Sequence, residues 1–186
     1  NTLAWNTHNM LATIARGTDI GYYQYRGDTR SRKYIDKGGG MAEERIYLGS
    51  FEIYRTYLGG NLDLERKTVH VSDDTGRIAM YEYRTAGNDA CPLELIRFIY
   101  SNHLSSAMLE LDDTGAVISY EEYHPFGTTA YQATNSQINA VAKRYRYTGK
   151  ERDEESGLYY HGARYYIPWL CRWTSVDSMQ GKAPEY

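Results

Sequence analysis

The chain has 186 residues, which is enough for one hydrophobic core or for two small ones. Its formal net charge of −3 at pH 7 provides no basic field that would attract nucleic acid or an acidic membrane surface. No apolar run approaches the roughly 18–20 residues that a membrane helix needs. The chain begins at Asn1 rather than at Met, shows no signal-peptide pattern and stops at Tyr186, so we expect a piece of a longer protein.

Tyrosine dominates the aromatic content, with 20 Tyr against three Phe, and 17 Gly accompany only four Pro. Tyr favours strands and carries a polar end, which suits half-solvated sheets better than a dry core. This composition indicates a polar β-structure with many turns. Cys91 and Cys171 are the only cysteines, and the sequence leaves open whether they pair. No His or Cys stands at ligand spacing, so we predict no metal and no cofactor.

Strand-like segments separated by turn residues fill most of the chain. The segment 45–60 reads as two strands around Gly49 and Ser50. Only 135–144, with Ile138 and Val141 three positions apart, has helical spacing. The pattern predicts an all-β fold of antiparallel hairpins. The other predicted strands, in chain order, are 20–26, 31–35, 67–71, 77–83, 106–111, 116–123 and 143–149.

An imperfect repeat supports this prediction. The segment "VSDDTGRIAMYE" (71–82) aligns with "ELDDTGAVISYE" (110–121), and Glu82 matches Glu121 on the outgoing strand. In each Asp-Asp-Thr-Gly turn, we expect the first Asp to cap the turn with its side chain and the Gly to supply a positive φ. Repeated strand–turn–strand units of this kind predict a repetitive hairpin sheet.

Three segments resemble a known family. "YQYRGDTRSRK" (23–33) resembles a YD repeat, with Arg26 where the repeat has Asp. The segment 100–128 is similar to the region that precedes the Rhs-associated core, although Ser105 stands where the family usually has Gly. "RYRYTGKERDEESGLYYHGARYYIPWLCRWTSVD" (144–177) is similar to the Rhs core signature itself. The chain is thereby identified as a member of the Rhs/YD-repeat family, which includes the C components of Tc toxins.

The resemblance implies a hollow β-shell that spirals around a toxic C-terminal effector domain. Residues 1–130 would be YD-repeat hairpins of the shell, and residues 131–186 would be the Rhs-associated core, which turns inward as a plug. The implied partners are the rest of the shell, the encapsulated C-terminal toxin, and a Tc-type B component or a secretion system. The implied location is extracellular, reached through a toxin delivery system from the cytoplasm.

The resemblance also implies release of the effector by aspartyl self-cleavage. Such chemistry needs two carboxylates that share a proton. Asp177 and Arg164 match the family's aspartate and arginine, whereas Ile167 replaces the other aspartate. The second carboxylate would then come from the run Asp153–Glu155 or from beyond Tyr186; otherwise this copy no longer cleaves.

Simpler readings stay open for the same residues. Asp177 can equally be a structural hydrogen-bond acceptor, and the alternating charges of 150–155 are typical of a solvated hairpin tip. A second function fits the same shell. The chain could be an extracellular YD-repeat module for adhesion or ligand binding without proteolysis.

Overall fold

In a computed structural model, residues 2–176 form two antiparallel sheets. The larger sheet has 12 strands, each paired with the next in the chain. Its strands are β1 Thr2–Trp5, β2 Leu11–Arg16, β3 Asp19–Arg26, β4 Thr29–Gly38, β5 Met41–Leu48, β6 Phe51–Leu58, β7 Asn61–Asp73, β8 Gly76–Ala86, β9 Glu94–Ser101, β10 Ala107–Leu111, β11 Val117–Tyr123 and β12 Thr129–Thr134. The all-β prediction is confirmed.

The turns of the repeat have the predicted chemistry. Asp73 Oδ1 accepts hydrogen bonds from the backbone N–H and the hydroxyl of Thr75 at 2.7 and 2.6 Å. Asp112 Oδ1 accepts the equivalent bonds from Thr114 at 2.9 and 2.7 Å. The glycine that ends each turn has a positive φ. Local side-chain bonds therefore fix these hairpins, as the sequence predicted.

The two faces of the large sheet differ because side chains alternate along each strand. On β9, Leu95, Arg97 and Ile99 are buried, whereas Ile96 and Phe98 are exposed. The face that includes Arg97 is unusually polar, and we call it the plug face. The cross-strand register places these other buried charged residues on it: Arg30, Arg45, Glu52, Arg66, His70, Glu82, Glu110 and Glu121.

Residues 135–176 leave the large sheet and pack on the plug face; we call this segment the plug. It contains the smaller sheet, with strands β13 Glu151–Arg152, β14 Tyr159–Tyr160, β15 Tyr165–Ile167 and β16 Arg172–Trp173. Two small apolar clusters join the plug to the large sheet. One contains Leu11, Ile14, Tyr23, Leu158 and Tyr165, and the other contains Met80, Ile99 and Ala107 with Tyr145 against them.

Two predicted elements are wrong. The segment 135–144 forms a turn rather than a helix, because Asn135 caps it through its side chain and Asn139 has a φ of +49°. The segment 143–149 is not a strand. It makes one bridge, between Tyr145 and Glu151, followed by a 3-10 turn. The structure also shows Cys91 and Cys171 as free thiols.

Candidate functional site

The interface between the plug and the plug face begins at β4. The side chain of Arg30 is 1% exposed, and its two Nη atoms lie 2.7 Å from Asp153 and 2.7 Å from Glu151. Lys33 Nζ lies 2.8 Å from Asp153 and 3.3 Å from Glu155. Cations of the sheet therefore bind three alternate carboxylates of the plug.

The signs are reversed on β6 and β11. On β6, Glu52 accepts a hydrogen bond from Arg144 at 2.6 Å and also contacts the hydroxyl of Tyr145. On β11, Glu121 lies 3.3 Å from Lys143 and 3.2 Å from Arg146. Here carboxylates of the sheet bind cations of the plug.

The plug thus carries a basic half, 143–146, and an acidic half, 151–155, and each half faces the opposite charge. The prediction of a solvated hairpin tip at 150–155 is wrong for Glu151 and Asp153, which are buried. A buried charge needs a paired and hydrogen-bonded partner, since desolvation alone is costly. These carboxylates obtain such partners from strands far away in the sequence.

The electrostatics of Glu52 follow from this pairing. Burial by itself raises the pKa of this carboxyl. Three other contacts more than offset that effect and hold the pKa well below its usual range: the charge of Arg144, the hydrogen bond from His70 and the charge of Arg45. Burial likewise acts on Glu151, and the charges of Arg30 and Arg144 keep its pKa low. Both carboxyl groups are therefore ionised at neutral pH, and both form ion pairs with these arginines.

Tyrosine hydroxyls make a second set of contacts. Three successive carbonyls of the β11–β12 turn, those of Pro125, Phe126 and Gly127, each accept one plug hydroxyl. The donors are Tyr147 at 2.7 Å, Tyr166 at 3.1 Å and Tyr159 at 3.1 Å.

The other end of the plug contacts the β3–β4 hairpin. Tyr160 accepts a hydrogen bond from the Arg30 backbone N–H at 2.7 Å, and the Tyr165 hydroxyl lies 3.0 Å from that of Tyr25. The ring of Tyr165 also packs edge-on against Tyr23. Plug tyrosines therefore contact both an early and a late hairpin of the sheet.

The structure describes one of the two predicted site residues. Arg164 is half-buried, and its guanidinium lies over the Trp173 ring at 4.3 Å. Ile167 belongs to β15, pairs with Arg172 and packs against the first apolar cluster. Asp177 lies outside the described residues, so its distance from Arg164 stays untested. The backbone N–H of Thr174 donates to the carbonyl of Tyr165 at 2.9 Å, so Thr174 lies beside the residue that follows Arg164.

The local carboxylates considered as a second protease group have structural partners. Asp153 is 0% exposed and binds both Arg30 and Lys33. Glu154 pairs with Arg146 at 3.1 Å. Glu155 accepts a hydrogen bond from Tyr23 at 2.6 Å, and its pKa is raised by burial and by the charge of Asp153.

Sequence reasoning missed the residues of the sheet that hold the plug. The signal was present in the repeat, since the matched Glu82 and Glu121 both lie buried on the plug face. Among the described residues, no group of three or more His, Cys, Asp or Glu side chains is arranged to hold a metal. Within residues 2–176, the structure contains no helix of the length and hydrophobicity needed to cross a membrane.

Known proteins share both the sequence and the fold, although no family model matches the chain. The toxin subunits YenC2 and YenC1 of Yersinia entomophaga are 36% and 35% identical to it over 95% of this chain, and the chain spans 19% of each subunit. The tRNA nuclease WapA of Bacillus subtilis is 26% identical over 97% of this chain and 7% of its own length.

Solved structures agree. A crystal structure of TcdB2-TccC3 matches 95% of this chain and 9% of its own, with a TM-score of 0.84 and 33% identity. A Tc holotoxin pore from Photorhabdus luminescens matches with a TM-score of 0.84 and 32% identity, over 95% of this chain and 9% of its own. Sequence, hairpin order and fold together place the chain in the Rhs/YD-repeat family, as a homologue of the C components of Tc toxins.

Proposed function

We propose that this chain forms the closing end of a hollow toxin shell, which encloses a C-terminal effector domain until delivery. The observation that carries the proposal is the buried, two-sign ion-pair interface that seats the plug on the plug face, from Arg30 to Glu121. A plug held by so many desolvated charges stays closed, because breaking one buried pair leaves an uncompensated charge.

The relatives support the toxin assignment. Two of them are named as toxin subunits and another as a tRNA nuclease, and the similar solved structures contain TcdB2 together with TccC3. We therefore assign the rest of the shell and the enclosed effector as partners, with a Tc-type B component as the further partner. Delivery to the outside of the producing cell belongs to the same proposal.

Encapsulation predicts protection from proteases. In the complete protein that contains this chain, the effector domain should survive limited proteolysis, and Arg30→Gln should expose it by loosening the plug. Arg32→Gln is the matched control, because Arg32 pairs with Glu44 on the opposite face of the sheet. An effector that is already digested in wild type, and no more slowly than in Arg30→Gln, contradicts encapsulation and favours an adhesion module.

Self-cleavage is the finer part of the proposal, with Asp177 as the acid–base carboxylate and Arg164 as the residue that orients it. The position of Thr174 beside the residue that follows Arg164 supports this pairing. The intact mass of the complete protein should show two fragments in wild type and one uncut chain in Asp177→Asn. Asp113→Asn, in the exposed β10–β11 turn, should cut like wild type. Identical fragments in Asp177→Asn would rule this residue out, and an uncut wild type would show that this copy does not cleave.

A further inference from the structure

An open cavity of about 520 Å³ lies between the plug and one end of strands β4 to β8. Its lining includes Ser50 of the β5–β6 turn, His70 and Arg77 of the large sheet, and Lys150 and His161 of the plug. This volume lies within the range that is typical of ligand-binding pockets. Arg77 and Lys150 also line a second cavity of about 260 Å³, so the two spaces share a basic wall.

Buried polar atoms without hydrogen-bond partners are concentrated around this cavity. Among the described residues, four buried side-chain nitrogens have no hydrogen-bond partner: Arg30 Nε, His70 Nδ1, Arg77 Nε and His161 Nε2. All four belong to residues that line this one cavity. Native proteins leave few buried polar atoms unpaired. Their concentration at one place therefore indicates a polar partner that the described residues do not provide.

The charge balance shows the sign of that partner. Two carboxylates line the cavity, and each has its own arginine: Glu52 binds Arg144 at 2.6 Å and Glu151 binds Arg30 at 2.7 Å. Arg77, in contrast, forms no ion pair with a described residue and its Nε has no hydrogen-bond partner, while its guanidinium lies over the Tyr145 ring at 3.5 Å. Lys150, which is exposed, adds a second positive charge beside it.

We propose that this cavity binds an oxyanionic group, with Arg77 as its main ligand and Lys150 as the second cation. A planar guanidinium donates paired N–H bonds to a phosphate or carboxylate, which suits a stacked arginine with free donors. His161 Nε2 stands on the same lining as a further atom that can donate a hydrogen bond. The group comes either from a free anion such as phosphate or from an acidic side chain of the complete protein. The proposal depends on neither encapsulation nor self-cleavage.

Titration with inorganic phosphate tests the free-anion source. The complete protein is titrated by calorimetry at pH 7 and constant ionic strength, as wild type and as Arg77→Gln and Lys150→Gln. We expect saturable binding to wild type, weakened about tenfold or more in Arg77→Gln and less in Lys150→Gln. Arg172→Gln, which changes an exposed arginine of β16, should bind like wild type. Lys150→Gln alters an exposed side chain, so it keeps the test decisive should Arg77→Gln not fold.

A cryo-electron microscopy map without added phosphate tests the second source. A carboxylate of the protein within hydrogen-bonding distance of Arg77 would identify the ligand as an acidic side chain, and phosphate would then bind weakly or not at all. Two results overturn the proposal. One is phosphate binding that neither variant weakens. The other is a wild type that binds no phosphate and whose map shows only water at Arg77.

Discussion

Gly127 shows how one missing side chain positions the plug. Its φ is +89°, and a Cβ added there would lie 2.5 Å from Cδ1 of Tyr147. The Gly127 carbonyl also accepts the hydroxyl of Tyr159. Glycine is therefore required by the turn conformation and by the ring that covers it.

Replacing Gly127 by Ala should loosen the plug. The added methyl overpacks the contact with Tyr147, for which we expect a loss of about 1–3 kcal/mol in the free energy of local opening. Hydrogen exchange of residues 143–160 in the complete protein measures that free energy. Gly115→Ala is the matched control, because its φ is +81° and no atom lies within 4 Å of the new Cβ. If both variants lose the same free energy of local opening, backbone strain alone explains the effect and the contact with Tyr147 does not.

His161 makes the plug sensitive to acid. Burial, together with the charges of Lys150 and Arg164, lowers the pKa of this imidazole from 6.5 to about 4. The unfolded chain therefore takes up a proton near pH 6.5, whereas the folded chain does so only near pH 4. Stability contributed by neutral His161 is complete above pH 6.5 and is lost as the pH falls towards 4.

The test is the thermal midpoint at pH 7 and pH 5. After allowance for the partial exposure of the ring, we expect His161 to contribute about 1 kcal/mol to the loss between these values. His161→Phe keeps a ring against Trp173, which lies 4.9 Å away, and should show a smaller drop than wild type. His8→Phe, at an exposed position, should keep the wild-type drop. A drop of the same size in His161→Phe contradicts the assignment.

At the scale of elements, the hairpins could be predicted because their information is local. Asp73 and Asp112 cap their own turns within four residues, and alternation along the strands completes the pattern. The plug could not be predicted in the same way. Arg30 and Asp153 are 123 positions apart, so a charged run whose own sequence is typical of a solvated tip is buried by a distant strand. The apparent helix at 135–144 failed for a local reason, its Asn-capped turn.

The Glu52–Arg144 pair tests whether these ion pairs hold the plug. Glu52→Gln leaves Arg144 and Arg45 without their full negative partner, and we expect a loss of about 3–5 kcal/mol in the opening free energy of residues 143–155. Hydrogen exchange measures it. Adding Arg144→Gln should cost less than the sum of the single changes, because the uncompensated charge disappears. Glu122→Gln, exposed on β11, is the control.

Additive losses would contradict direct coupling between Glu52 and Arg144.

The Glu52 carboxyl also adds to the acid sensitivity of the plug. Its pKa is depressed in the folded protein, so its contribution is present above the ordinary pKa of 4.5 and is lost as the pH falls below that value.

At the scale of the whole molecule, the plug joins hairpins that are far apart in the sheet. It bonds to the β3–β4 turn through Tyr160 and to the β11–β12 turn through Tyr147, Tyr159 and Tyr166. Eight strand steps separate β4 from β12, which in a flat sheet would be about 38 Å at roughly 4.8 Å per step. Twisted antiparallel strands coil, and such coiling would bring the two turns closer together than they are in a flat sheet.

Removing the three hydroxyls together tests this connection. The variant Tyr147→Phe, Tyr159→Phe, Tyr166→Phe keeps all three rings but leaves the carbonyls of the β11–β12 turn without their donors. At about 1 kcal/mol for each bond, we expect hydrogen exchange of 117–134 to accelerate on the order of 100-fold. The β3–β4 hairpin should stay protected, because Arg30 and Tyr160 still hold it.

The matched control changes three tyrosines of the opposite face, Tyr81→Phe, Tyr83→Phe and Tyr120→Phe, which lie away from the plug. It should leave exchange of 124–129 unchanged. Faster exchange in both hairpins of the plug variant would mean that the plug opens as one body. Unchanged exchange at 117–134 would mean that the ion pairs alone hold the plug on the sheet, and the tyrosine contacts would then only follow from that packing.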